Sequence, residues 1–240
     1  MKARIALASL LVLQLAQSAA SQSPAAASAP PASTPAGIPL DTPWKQAIFK
    51  LATEKLQHTA WGVQHYERDY LVAARLAAAE KMTIDTDVLF AAAFLHDVAA
   101  FDDWRKQGVD HTDRAAEVLP EMLTSFGFPA AKIEAVQEAA RNHMYYSTGA
   151  KRPEAIVLRD ADTLDFLGAI GVARIVSLTT RQKGWAADLP TAVKTLEGFS
   201  NDLPAKVTTA TAKKMAATRA TEMKTFLETL KSETENGNAR

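Results

Sequence analysis

The chain of 240 residues contains no cysteine. Disulfides, a thiol nucleophile and lipid attachment at a signal-linked cysteine are therefore excluded, and the absence fits an exported protein built without covalent staples. Aromatic residues are scarce, at 7% against a hydrophobic content of 48% rich in alanine. Long alternating β-branched runs are missing as well. Small apolar residues without strand patterning suit close-packed helices, so the fold class predicted is all-α. No glycine-rich phosphate loop, G-x-S-x-G elbow or H-E-x-x-H helix occurs. Neither sign of charge is in excess, with 27 basic and 27 acidic residues. Without residues 1–20, which carry Lys2 and Arg4, 25 basic residues face 27 acidic ones. That balance leaves no electrostatic footprint for a nucleic-acid polymer and none for a lasting membrane role.

What is present divides the chain into three parts. Residues 1–20 read as a secretory signal: Lys2 and Arg4 form a short basic start, Ile5 to Ala16 is mostly apolar, and Ser18-Ala19-Ala20 offers a cleavage site. The apolar stretch is shorter than the ~20 residues of a spanning helix, which favours cleavage after Ala20 and a periplasmic or secreted product. Residues 21–43 form an Ala/Pro/Ser-rich linker, expected to be disordered because it buries too little apolar surface to order itself. A single folded domain is expected over 44–235.

Helical periodicity runs through that domain. Helices are expected over Trp44–Gln57, Val63–Lys81, Val88–Asp97, Asp113–Phe126, from Pro129 to about Asn142, and from Pro153 through Asp160 to about Gly168. Ile170 to Gln182 carries on or kinks at Gly171. Thr191–Phe199 and a long helix from Pro204 to about Ser232 follow, with a frayed tail over Glu233–Arg240. A polar loop spans Ala100 to Asp110.

The chemistry centres on His96-Asp97, which ends the apolar run Val88 to Leu95. Burying a carboxylate beside an imidazole is costly without pairing or coordination, and a divalent cation is the obvious partner. The bland alternative is a capping aspartate beside a partly exposed histidine. His65 lies upstream on a helix, with Arg68 on the same face. Downstream, Asp160, Asp162 and Asp165 sit among apolar residues. Asp160 and Asp162 point to nearly opposite helix faces, whereas Asp162 and Asp165 share one; of that pair one faces inward and the other caps or positions a neighbour. Three separated segments thus offer nitrogen and oxygen ligands, as metal sites in helical bundles do. His111 and His143 stand at helix ends, where polar groups converge on pockets but where solvated histidines also live. His58 takes the structural reading.

The order His65, His96-Asp97, Asp162 resembles the HD superfamily of metal-dependent phosphohydrolases. His65-Tyr66-Glu67-Arg68 is similar to its H-x-x-R, and Ala92 to Val98 to its A-A-L-L-H-D-I. Asp160-Ala161-Asp162-Thr163-Leu164-Asp165, with Gly168, Gly171 and Arg174, resembles the D-A-D-x-L-D-x-x-G-x-x-G-x-x-R of one bacterial subfamily. The resemblance spans about residues 44 to 233. It implies a single multi-helix HD bundle with a metal site in its core. It makes His65, His96, Asp97 and Asp162, with Asp160 as the alternative, the metal ligands, and His111 and His143 the holders of a second ion or of substrate phosphate. Asp97, Arg68 and Arg174 take catalytic roles. Where some members carry an assisting group after the doublet, this chain has Val98 to Asp103, leaving Asp102 or Asp103.

The resemblance implies hydrolysis of a phosphate ester or anhydride on a small phosphorylated substrate, a nucleotide included. Imidazole with carboxylate admits Mn, Fe, Co, Ni, Zn or Mg. Two further readings stand beside it. One is a two-iron HD-type oxygenase; the other is a non-catalytic binding module that keeps its metal.

Overall fold

Thr42 and Pro43 open the first helix. The Thr42 hydroxyl accepts the Lys45 backbone N–H at 3.3 Å, and Pro43 costs nothing there because a first turn leaves its N–H groups unbonded. Helix α1 (Pro43–Lys55) begins the bundle in a computed structural model that describes residues 31–181 and 186–238. It is followed by α2 (Val63–Ala79), α3 (Thr86–Leu95), α4 (His111–Ser125), α5 (Ile133–Arg141), α6 (Pro153–Asp165), α7 (Gly168–Leu178), α8 (Leu189–Asp202) and α9 (Ala210–Asn238). Among the described residues there is no strand, only an isolated bridge between Ser33 and Pro39. No helix among them is long and apolar enough to cross a membrane.

The centre of the bundle is α3. The Asp85 carboxylate accepts the N–H groups of Asp87 and Val88 to start it, and every residue from Val88 to Leu95 is buried. A helix apolar all round must be enclosed by others. Here α1, α2, α5 and α6 pack against it, and α2 also packs along α6. Ala91, Ala92 and Ala93 present only methyl groups to these neighbours, so the helices approach closely around the residues at its carboxy end.

Two local devices set the surrounding geometry. Pro120 lies inside α4 and cannot donate to the carbonyl of Ala116; the Gln137 side chain on α5 donates to that carbonyl instead, at 2.7 Å. Between α6 and α7 the chain turns at Gly168, whose φ of +69° suits glycine, and Gly171 then passes so near the Phe166 carbonyl that a Cβ would lie 2.2 Å from its oxygen. The break therefore falls before Gly168, not at Gly171.

Residues 31–42, expected in the disordered linker, are ordered onto the domain. Leu40 donates to the Ala32 carbonyl, Ala36 donates to the Glu67 carboxylate at 2.8 Å, and Thr34, Ile38 and Leu40 are buried. Ile38 and Leu40 alternate along an extended segment and so supply the apolar face that its composition hid. The last helix starts at Ala210, later than Pro204, because Pro204 sits in a short 3₁₀ turn and the Asp160 carboxylate takes the N–H groups of Thr208 and Thr209 at 2.8 Å. It then continues to Asn238, through most of the segment expected to fray. The signal reading of residues 1–20, the first part of the linker over 21–30 and the last two residues lie outside the described residues.

Gly171→Ala is expected to destabilise the fold by about 1–3 kcal/mol or more, because the obstacle is backbone. Gly198→Ala in α8, where nothing lies within 4 Å of the new methyl, should instead stabilise it by roughly 0.4–1 kcal/mol. Denaturant midpoints of the two variants check the contrast.

Candidate metal centre

Five elements carry polar side chains to the space beside the carboxy end of α3. His65 and Asp69 stand one turn apart on α2, His96 and Asp97 follow the last turn of α3, and Asp162 projects from α6. His111 opens α4, and His143 comes just after α5. His65, Asp69, His96, His143 and Asp162 are all at most 2% exposed, and Asp97 is 9% exposed.

The backbone and a carboxylate fix which nitrogen of each buried imidazole carries its proton. His65 Nδ1 lies 2.8 Å from Asp165 Oδ2, His96 Nδ1 lies 3.0 Å from the Ala93 carbonyl oxygen, and His143 Nδ1 lies 2.6 Å from that of Ala140. Each of those partners only accepts, so each Nδ1 donates and each Nε2 presents a lone pair. Yet His65 Nε2 and His96 Nε2 are 3.3 Å apart. Two lone pairs that close repel unless a positive charge lies between or beside them.

Carboxylates complete the arrangement. His65 Nε2 is 3.2 Å from Asp69 Oδ2, 3.6 Å from Asp162 Oδ1 and 3.8 Å from Asp97 Oδ2; His96 Nε2 is 3.4 Å from Asp97 Oδ2. Donors on opposite sides of one ion, each about 2.1 Å from it, stand ~4.2 Å apart at most. These separations fit inside that span. Both oxygens of Asp69, Asp162 Oδ2 and His143 Nε2 are buried without a hydrogen-bond partner. Orphaned oxygens and imidazole lone pairs in one buried cluster are what a divalent cation fits, and the cluster of His65, Asp69, His96 and Asp162 could hold one.

The electrostatics agree. Burial, with the Arg174 charge behind the ring, brings the His65 pKa down to about 3 and keeps the imidazole neutral. Burial raises the Asp162 carboxyl to about 7, and burial together with repulsion from Asp165 and Asp162 raises Asp69 well above its usual range.

Asp97 faces two ways. Its Oδ2 turns to His65 and His96, while its Oδ1 lies 3.4 Å from His143 Nε2 and 3.6 Å from His111 Nε2. His96, Asp97 and His143 form a second group able to hold a cation.

Asp165 stands behind the cluster. It takes His65 Nδ1–H at 2.8 Å, Arg68 Nε–H and Nη2–H at 2.8 Å each, and Arg174 Nη1–H at 3.0 Å. Those donors outweigh its burial and hold the carboxyl well below the usual range. Arg68 thus acts on the far side of His65 from the other donors, and Arg174, which also donates to the Ala60 carbonyl and lies over the Phe166 ring, is a buried strut. Asp160 points away from the cluster to cap the approach to α9. Asp102 and Asp103 are exposed and face Arg105 and Lys55. His58 stacks on Trp61 and accepts the Ala60 N–H, a loop-forming role. The residue missed by sequence reasoning is Asp69; its signal was a carboxylate four positions after His65, on the apolar stripe that continues through Val72 and Leu76.

A cavity of about 380 Å³ reaches Asp97, His111, Asp162 and Arg174 and is otherwise walled by Trp61, Met144 and Phe166, with Arg105 and Lys106 also lining it. A larger one, of about 630 Å³, lies on the side of α2 bearing His65, Glu67 and Arg68.

Residues 62–167 match the HD domain family. That match and the solved HD superfamily hydrolases support the HD-domain superfamily. The matched range holds every donor of the cluster, while Arg174 and helices α7 to α9 follow it. Solved structures agree on the HD architecture. A predicted HD superfamily hydrolase from an uncultured Thermotogales bacterium is 27% identical, with a TM-score of 0.53 over 78% of this chain and 89% of that one. A Lactobacillus plantarum protein is 25% identical, with a TM-score of 0.62 over 80% and 97%. Bacillus subtilis YpgQ, in complex with ADP, is 21% identical, with a TM-score of 0.59 over 79% and 97%. No curated protein matches the chain. The HD domain and its hydrolase relatives support a metal-dependent hydrolase in general terms.

Asp165→Asn should cost about 3 kcal/mol at neutral pH, because it strands the buried Arg174 and loosens His65. A depressed carboxyl contributes stability above the unfolded-state pKa of about 3.9 and loses it as pH falls toward the folded value. The wild-type and variant stability curves are therefore expected to converge below about pH 4, as denaturant melts across pH 2–8 will show.

Proposed function

We propose that this HD domain is a metal-dependent phosphohydrolase cleaving a phosphate ester or anhydride. The observation that carries the reading is the 380 Å³ cavity, which places Arg105, Lys106 and Arg174 around the same space that ends on Asp97, His111 and Asp162. Cationic walls draw an anionic group inward and neutralise charge developing on it. His65, His96, Asp97 and Asp162 hold the cation, Mn, Fe, Co, Ni, Zn or Mg by donor type. When bound, it polarises a phosphoryl oxygen and acidifies the attacking water.

The protein's own groups do the rest. Burial lowers the His111 pKa, so its imidazole is neutral at pH 7 and able to accept a proton. Asp110 faces His111 Nδ1 at 3.4 Å and in turn accepts the Tyr146 hydroxyl at 3.0 Å, which orients Nε2 toward Asp97. Arg68 acts through Asp165 as a positioning residue for His65. Trp61, Met144 and Phe166 give the leaving group an apolar wall. ADP, which the B. subtilis protein holds, makes nucleotides the first substrates to test. Residues 1–20, read as a signal, place the activity in the periplasm or outside the cell, with a mature chain beginning at Ser21.

Asp97 between two histidine-bearing groups also favours a second reading, a two-iron oxygenase. The deciding experiment strips the protein with chelator, reloads each metal and screens phosphomonoesters, diesters, ADP and nucleoside triphosphates in air and under nitrogen. Hydrolysis independent of oxygen is expected, and His96→Ala should lower it about a thousandfold while the chain stays folded. Turnover lost under nitrogen would favour the oxygenase, and cation uptake without turnover in any arm would leave a binding module.

A further inference from the structure

Four other buried carboxylates of the domain have hydrogen-bonding partners, whereas Asp97 and Asp162 belong to the cluster itself. Asp160 takes two backbone N–H groups, Asp165 takes an imidazole and two guanidinium groups, Glu67 takes the Ala36 N–H, and Glu154 takes that of Asp85. Asp69 is 1% exposed, and neither of its oxygens has a hydrogen-bond partner. It is nevertheless aimed at two imidazoles, with Oδ2 at 3.2 Å from His65 Nε2 and 3.9 Å from His96 Nε2. In the neutral tautomer those nitrogens carry the lone pair, since each ring donates through Nδ1 to another group. The approach of Asp69 to these two nitrogens makes no hydrogen bond. It is the arrangement of donors around a shared positive centre.

We propose that Asp69 is a fifth protein ligand of the metal centre and biases it toward cations that take five or more donors. The proposal rests on the reading of the cluster as a metal site. With His65, His96 and Asp162 it forms one donor group, and with Asp97, which lies beside His65 and His96, the centre has two nitrogens and three carboxylates. Zinc in protein sites is commonly satisfied by four ligands, whereas Mn(II), Fe(II) and Mg(II) take six and favour oxygen. A third carboxylate therefore favours the harder ions and leaves fewer coordination positions to solvent or substrate. Helix geometry makes the contribution available at no cost in chain length, because positions 65 and 69 lie on one face of α2.

The test uses the full chain, freed of metal by chelator and titrated calorimetrically with MnCl2 and, separately, with ZnSO4, alongside metal-free thermal melts. Asp69→Asn and Asp69→Ala are compared with wild type. Mn(II) affinity should fall about tenfold or more in Asp69→Asn and further in Asp69→Ala, while Zn(II) affinity falls much less, so the Mn/Zn ratio drops. The metal-free melting temperature should hold or rise, because a buried carboxyl group without a hydrogen-bond partner has been removed. Unchanged Mn(II) affinity with a lowered metal-free melting temperature would overturn the proposal and make Asp69 a structural residue. Where the alanine variant does not fold, Asp69→Asn decides by the same ratio. Failure of the wild type to take up either ion would instead overturn the metal centre itself, and this proposal with it.

Discussion

Like-charged and lone-pair-bearing atoms facing one another in a dry interior are the constraint around which this bundle is organised. Imidazole nitrogens of His65 and His96 meet at 3.3 Å, with carboxylates of Asp69, Asp97 and Asp162 around them. In apolar surroundings such a group is unfavourable, and the raised carboxyls of Asp69 and Asp162 express that cost. The surrounding helices hold it together: α3 is apolar on every side, and its three consecutive alanines let neighbours close around its carboxy end. A stable scaffold thus carries a locally unfavourable cluster, the usual relation between a fold and a reactive site.

Asp165 transmits the scaffold's rigidity to the ring of His65. It joins α2, through His65 and Arg68, to α7, through Arg174. Because it is ionised and accepts only, it also decides the tautomer, and with it the direction of the lone pair. The close turn at Gly168 and Gly171 brings Arg174 within reach, so two glycines far from the cation site bear on its electronic state.

Much of this was legible in the chain. The doublet at the end of an apolar run marked His96 and Asp97, and helical geometry separated Asp160 from Asp162 and divided Asp162 and Asp165 into an inward group and a positioning one. The structure has Asp162 facing the cluster and Asp165 holding its neighbours. Asp69 escaped because it lies beside Glu67 and Arg68 in a stretch that looks solvated, although its register with His65, Val72 and Leu76 is that of the buried face. Residues 31–42 escaped for a different reason: their composition is that of a tether, and only two alternating apolar side chains secure them. Which acceptor each imidazole would find also lay beyond sequence reasoning, since Ala93 and Ala140 contribute only backbone oxygens.

Pro120 breaks the hydrogen-bond ladder of α4, and a side chain of α5 fills the missing rung. Since α4 begins with His111 and α5 ends next to His143, the two rings beside Asp97 Oδ1 are borne by helices latched to each other rather than free to part. Their spacing behaves as a fixed jaw. The opposite wall of the cavity is of another kind: Arg105 to Val109 line it from a segment whose backbone is tied by turns instead of a helix.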